Sequence, residues 1–159
     1  MRALITGATG FIGQRLLEQI AEPVVLSRHP ESVRRLFAGA EVYAWDPTAG
    51  LPPPEAFRGV EAIFHLAGEP IAEGRWTLDK KRRIMDSRKV GTANLVKGLD
   101  QLSERPPVLV SASAVGYYGS RGDEVLDEQA APGDDFLARV CMEWERAAQP
   151  AEALGIRVV

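Results

Sequence analysis

The first thirteen residues, MRALITGATGFIG, set glycines at 7, 10 and 13 between a short apolar run and a stretch of helical periodicity. Ala3 to Thr6 has the make-up of a central parallel strand, buried on both faces, and Phe11 to Ile20 repeats apolar residues at helical spacing. A strand must therefore turn directly into a helix. At such a junction Gly7 allows the tight turn, Gly10 lets backbone amides reach an anion with no Cβ in the way, and Gly13 lets helix and strand pack closely. The first helical N–H groups and the positive end of the helix then face a gap suited to a pyrophosphate. Thr9, Phe11 and Ile12 complete the candidate cradle with Gly7, Gly10 and Gly13. A mononucleotide P-loop is excluded, because no Lys-Ser or Lys-Thr follows the last glycine. The spacing GxxGxxG after a strand and before a helix points to a dinucleotide.

The rest of the chain alternates strand and helix patterns with short connections. Strands are expected at 23–27, 42–45, 60–66, 108–112 and from 156, and helices at 31–37, 76–102 and 136–149. Such alternation predicts an α/β fold, a doubly wound parallel sheet of the Rossmann type, and the right-handed crossover rule favours strand order 3-2-1-4-5-6. At 159 residues this is one domain, able to bury about two thirds of its unfolded surface. A net charge of −3 offers no surplus of cations for nucleic acid or an anionic membrane. The single cysteine, Cys141, has no disulfide partner, and two separated histidines give no metal ligand set, so a reducing cytoplasm and no metal are expected. No apolar run reaches membrane-spanning length.

TGATGFIG (Thr6 to Gly13), HLAG (His65 to Gly68), Gly91-Thr92 with Asn94-Leu95, and SASAVGYYG (Ser111 to Gly119) stand in the order and spacing of one known group. The chain resembles the extended or atypical branch of the short-chain dehydrogenase/reductase superfamily. Within that branch LAGEPIA, GRW, Ser87-Arg88, GYYG and Trp144-Glu145 are similar to the poorly characterised "epimerase family proteins". Members are about twice this length. The resemblance thus implies the N-terminal half of such a protein, ending near strand six, with a C-terminal substrate lobe missing. It also implies cofactor contacts from Leu66, Ala67 and Gly68, and relatives commonly form homodimers through two long helices, here those beginning at Trp76 and Phe136.

NAD binders usually place an Asp or Glu about 20 residues past the first glycine, whereas an Arg accommodates the 2′-phosphate of NADP. Here that position holds Ser27 followed by Arg28, so NADP is the expected cofactor. Arg88 replaces the asparagine usual in the branch and is expected to reach the cofactor's phosphates or ribose. The run Lys80, Lys81, Arg82 and Arg83 reads as a solvated helix face.

Catalytic residues are harder to read. In the superfamily a Ser or Thr bonds the substrate oxygen, and a Tyr, its pKa lowered by a Lys four residues on, exchanges the proton. Ser113 takes the serine position when aligned from strand five, but alignment from Tyr118-Gly119 puts Ala114 there. YxxxK is absent from the helix beginning at Phe136. Tyr117 and Tyr118 are the remaining proton donors, although aromatic loop residues more often bury area than do chemistry. Cys141, Trp144 and His65 are expected in the core. The expectation is an NADP(H)-binding oxidoreductase or sugar-nucleotide epimerase-like enzyme on an unknown small molecule, or alternatively a catalytically silent NADP(H)-binding regulatory module.

Overall fold

The computed structural model describes residues 1–159. The opening run forms strand β1 (Arg2–Thr6), and helix α1 (Phe11–Leu17) follows after four residues. Next come β2 (Glu22–Ser27), α2 (Pro30–Leu36), β3 (Glu41–Ala44) and β4 (Ala62–His65). Then follow α3 (Leu78–Asp100), β5 (Val108–Ser111), α4 (Phe136–Ala148) and β6 (Arg157–Val158). All pairings are parallel, in the order β3-β2-β1-β4-β5-β6 expected from the alternation. The order reverses between β1 and β4, so the connections leaving these two strands diverge and open a crevice at their carboxyl ends.

Both faces of the sheet are covered, which is why its strands read as continuous apolar runs rather than alternating ones. Successive side chains point to opposite faces. Leu4, Val24, Ile63 and Leu109 pack with Leu95 and Leu99 of α3 and Ala148 of α4. Ala3, Ile5 and Val25 pack with Leu17 of α1 and Val33 of α2. Each large aliphatic side chain buried in this way contributes about 1.5–3 kcal/mol.

Helix ends follow local chemistry. The Thr77 hydroxyl caps α3 by accepting from Lys80 N at 3.2 Å, and Asp135 caps α4 by accepting from Ala138 N at 2.8 Å. The α-helix stops at Ala148, and Pro150 is accommodated in a 3-10 segment, Gln149–Leu154. Helix α1 is shorter than its periodicity suggested. It ends at Leu17, and Ile20 is buried from the turn that follows.

Two glycines on α3 seat the loop after β3. A Cβ on Gly91 would lie 3.0 Å from the ring of Pro47, and one on Gly98 would lie 2.7 Å from that of Pro52. Asn94, on the same face, donates from Nδ2 to Pro47 O at 2.8 Å. This loop forms one wall of the crevice.

Candidate functional site

The crevice holds about 460 Å³ and is lined by the carboxyl ends of β1, β2 and β4 and by the segment after β3. Gly7, Thr9, Gly10, Ser27, Arg28, Leu66, Ala67 and Gly68, all expected at a cofactor site, meet there. Gly7 has φ +72°, and a Cβ on it would come within 2.8 Å of the Leu66 backbone. Both the turn and the approach of β4 require glycine. A Cβ on Gly13 would lie 2.3 Å from Gly7 O, so Gly13 serves the packing of α1 on β1. The first α1 bond runs from Gln14 N to Gly10 O at 2.9 Å. The amides of Phe11, Ile12 and Gly13 are consequently without acceptors at the rim. Phe11 and Ile12 expose their side chains outside the lining.

At the β2 end, Ser27 Oγ accepts from His29 N at 3.0 Å, and Arg28 is exposed at the lip. Sequence reasoning missed Asp46 opposite. Its carboxylate accepts from the amide and hydroxyl of Thr48, both at 2.9 Å. Those bonds, with a smaller contribution from the Arg28 charge, hold Asp46 below the usual carboxylate range. Its place two residues past Ala44, the partner of Ser27 across the sheet, was the available signal.

The β4 end is held from beneath. Thr6 Oγ1 accepts from the amides of Leu66 and Ala67, each at 3.1 Å, and lies 2.8 Å from Nδ1 of the fully buried His65. His65 Nε2 lies 2.9 Å from Thr92 Oγ1 on α3. His65 is thus the hydrogen-bonded core residue expected, and burial pushes its pKa down to about 4.

Beyond Gly68, Glu69 N donates to Ser87 Oγ at 2.9 Å, and the Glu69 carboxylate pairs with Lys80 Nζ at 2.9 Å and Arg83 Nε at 3.4 Å. The Lys80 hydrogen bond is the main reason that Glu69 titrates below the usual range. This corrects the reading of Lys80 as solvated: the residue is 6% exposed. Lys80 precedes Ile84 by four residues and shares its inward face, where Glu69 meets it.

Arg88 lies behind the crevice rather than in its lining. Its Nη1 donates to Glu69 O and Ile84 O, each at 3.2 Å, and its guanidinium carbon sits 4.9 Å from the centre of the Trp144 ring. A Cβ on Gly68 would come within 2.8 Å of that carbon. Arg88 therefore supports the Gly68–Glu69 backbone directly.

The three candidate catalytic residues stand one strand over. Ala112 N donates to His65 O at 3.0 Å, placing Ser113 beside the β4 turn. Ser113 is exposed and its Oγ donates to Glu145 Oε1 at 2.5 Å. Tyr117 and Tyr118 are half-buried in a 3-10 turn, Val115–Tyr118, with ring centres 5.2 Å apart at 80°. Neither ring lines the crevice. Cys141 and Trp144 are buried, as expected.

Residues 3–157 match the model of the NAD dependent epimerase/dehydratase family. The chain belongs to that family. Among its relatives, the epimerase family protein MT2273 of Mycobacterium tuberculosis is 38% identical over 157 residues, which are 98% of this chain and 50% of that protein. The chain spans about half the length of the curated relatives it matches. The human epimerase family protein SDR39U1 (isoform 2), solved with NADPH, is 31% identical with a TM-score of 0.74, covering 93% of this chain and 48% of that one. A nucleoside-diphosphate sugar epimerase from Corynebacterium glutamicum is 34% identical with a TM-score of 0.77, covering 99% and 32%. The fold is shared with those solved structures, and no helix is long and apolar enough to cross a membrane.

Proposed function

We propose that this protein binds NADP(H) and, in its complete form, serves as an oxidoreductase or epimerase on a small molecule in the cytoplasm. The carrying observation is the crevice itself. Gly7 and Gly13 are held by contacts that a Cβ would destroy, and the amides of Phe11, Ile12 and Gly13 remain free at the mouth. These features fit a pyrophosphate. Ser27 and Arg28 at the end of β2 supply a hydroxyl and a planar cation for a 2′-phosphate, with no carboxylate in that strand end. The NADPH-bound human relative supports the same cofactor.

When bound, the nicotinamide supplies or accepts a hydride. The chain's own residues orient it: the Leu66–Gly68 backbone, pinned by Thr6 and backed by Arg88, forms the inner wall. Ser113 presents a hydroxyl beyond that wall.

A second reading, a binding module without turnover, is favoured by one observation: α4 carries neither tyrosine nor lysine. Calorimetric titration of the intact protein with NADPH and NADH, followed by NADPH oxidation against carbonyl and sugar-nucleotide panels, tests both. Tighter binding of NADPH with turnover supports the first reading, and binding without turnover supports the second. Equal or tighter binding of NADH would overturn the NADP assignment.

A further inference from the structure

The end of β5 carries a hydroxyl bonded to a carboxylate in a site with no tyrosine–lysine pair. The Ser113 Oγ to Glu145 Oε1 separation of 2.5 Å is that of a hydroxyl donating to an ionised acceptor. Ser113 is Glu145's sole side-chain hydrogen-bond partner, and Glu145 forms no ion pair. The neighbouring cations are committed elsewhere. Lys89 of α3 and Arg146 of α4 both pair with Glu143, at 2.6 and 3.2 Å, and Arg88 of α3 holds the Glu69 backbone. The Cys141 thiol donates to Ala114 O at 3.7 Å, and burial together with the Glu145 charge pushes it up. Tyr117 and Tyr118 sit on a turn packed against α4 and have no hydrogen bond through their hydroxyls.

Two further polar atoms are buried without partners, Ser111 Oγ and Trp144 Nε1. One is two residues before Ser113 and the other is next to Glu145. Buried polar atoms ordinarily find a partner, so each of these calls for a hydrogen-bonding group, water included.

We propose that Ser113 and Glu145 are the proton-transfer pair of this site. Ser113 touches the substrate oxygen, and Glu145 is a positioning residue that acts through it, giving or receiving the proton. The inference rests on the NADP(H) reading above. In carbonyl reduction, hydride from NADPH forms the new C–H bond at the carbonyl carbon, and the C=O π pair moves to oxygen. That oxygen takes the Ser113 proton, and Ser113 takes in turn a proton that Glu145 has first picked up from solvent, leaving NADP⁺, an alcohol and the ionised carboxylate that accepts from Ser113 in the structure. Alcohol oxidation reverses every transfer.

The test uses the intact protein, NADPH and para-nitrobenzaldehyde as carbonyl probe. Glu145→Gln should bind NADPH like the wild type while turnover falls on the order of a hundredfold, with partial recovery in Glu145→Asp. Wild-type turnover should decline as pH rises through the carboxyl titration, and that dependence should vanish in Glu145→Gln. Independently of turnover, Ser113→Ala should move the Glu145 δ-carbon resonance at fixed neutral pH, because the carboxylate loses its hydroxyl donor. Wild-type rates in Glu145→Gln, an unmoved Glu145 resonance in Ser113→Ala, or NADPH binding with no reduction of the probe would each overturn this pair and leave the cofactor reading intact. Failure of the wild type to bind NADPH would overturn both.

Discussion

Thr6 and His65 are paired across the β1–β4 register, and their side chains meet as well, Oγ1 to Nδ1 at 2.8 Å. Because Thr6 Oγ1 already accepts from two amides, its own proton must go to His65. Nδ1 is therefore the acceptor, and Nε2 carries the ring proton toward Thr92 Oγ1. A protonated imidazole would put a second proton against the Thr6 hydroxyl in a site with no anion.

Burial accordingly lowers His65 from 6.5 to about 4. The unfolded chain takes up this proton first as pH falls, so the His65 contribution is fully present above about pH 6.5 and is lost progressively toward about pH 4. Below that both states are protonated and the loss levels off. The shift corresponds to about 3 kcal/mol. Urea unfolding across this window should show the decline, and His65→Asn, which keeps an acceptor for Thr6 and carries no titrating ring, should flatten it. An unchanged slope in the variant would contradict the assignment.

Gly13→Ala should separate helix α1 from the turn it supports. The added methyl would lie 2.3 Å from Gly7 O and 2.7 Å from Ala8 Cα, both backbone atoms that cannot swing aside. Overpacking of this kind costs about 1–3 kcal/mol, more than the ~1 kcal/mol that alanine gains over glycine within a helix. NADPH binding should fall with stability. Gly39→Ala, with nothing within 4 Å of the new Cβ, should stay within about 0.5 kcal/mol of the wild type. Thermal and denaturant melts of both variants check the contrast.

Arg28→Asp tests the cofactor's 2′-phosphate. Removing a charge-assisted contact at the lip should weaken NADPH by about 1.5–3 kcal/mol, roughly ten- to a hundredfold, while NADH changes little. The site is exposed, so added salt should narrow the difference. Equal losses for both coenzymes in calorimetry would remove Arg28 from phosphate recognition.

The fold was legible because its signals are local. TGATGFIG encodes one junction, and each strand is a short apolar run between breakers, so crossover handedness leaves one sheet order. Part of the crevice lining was legible for the same reason: Gly7, Ser27 and Leu66–Gly68 sit at strand ends that the sequence marks, and Gly10 opens α1. Asp46 was passed over because attention to the end of β2 overlooks the strand beside it. Lys80 was misread because a basic run of four looks solvated, although Lys80, four residues before Ile84, shares its inward face. The Ser113–Glu145 bond joins residues 32 apart through the docking of α4, which no spacing rule describes.

Lys80 also supplies the sharpest test of how the inner wall is held. Its ammonium and the Glu69 carboxylate are 7% and 17% exposed, so each is costly without the other. Lys80→Met should leave Glu69 buried with only the exposed Arg83 beside it, at a cost of about 3 kcal/mol, the low end for breaking a buried pair. The sign with pH follows from Glu69, whose carboxyl is held below 4.5 chiefly by Lys80. That stabilisation is present above pH 4.5 and is lost as pH falls through the lowered folded value. The gap between wild type and Lys80→Met should therefore be full near neutrality and close in acid. Glu69→Gln combined with Lys80→Met, which removes both charges, should recover part of the loss. If urea melts show a gap that persists unchanged below the carboxyl range, the pair is not what holds the Gly68–Glu69 loop against α3.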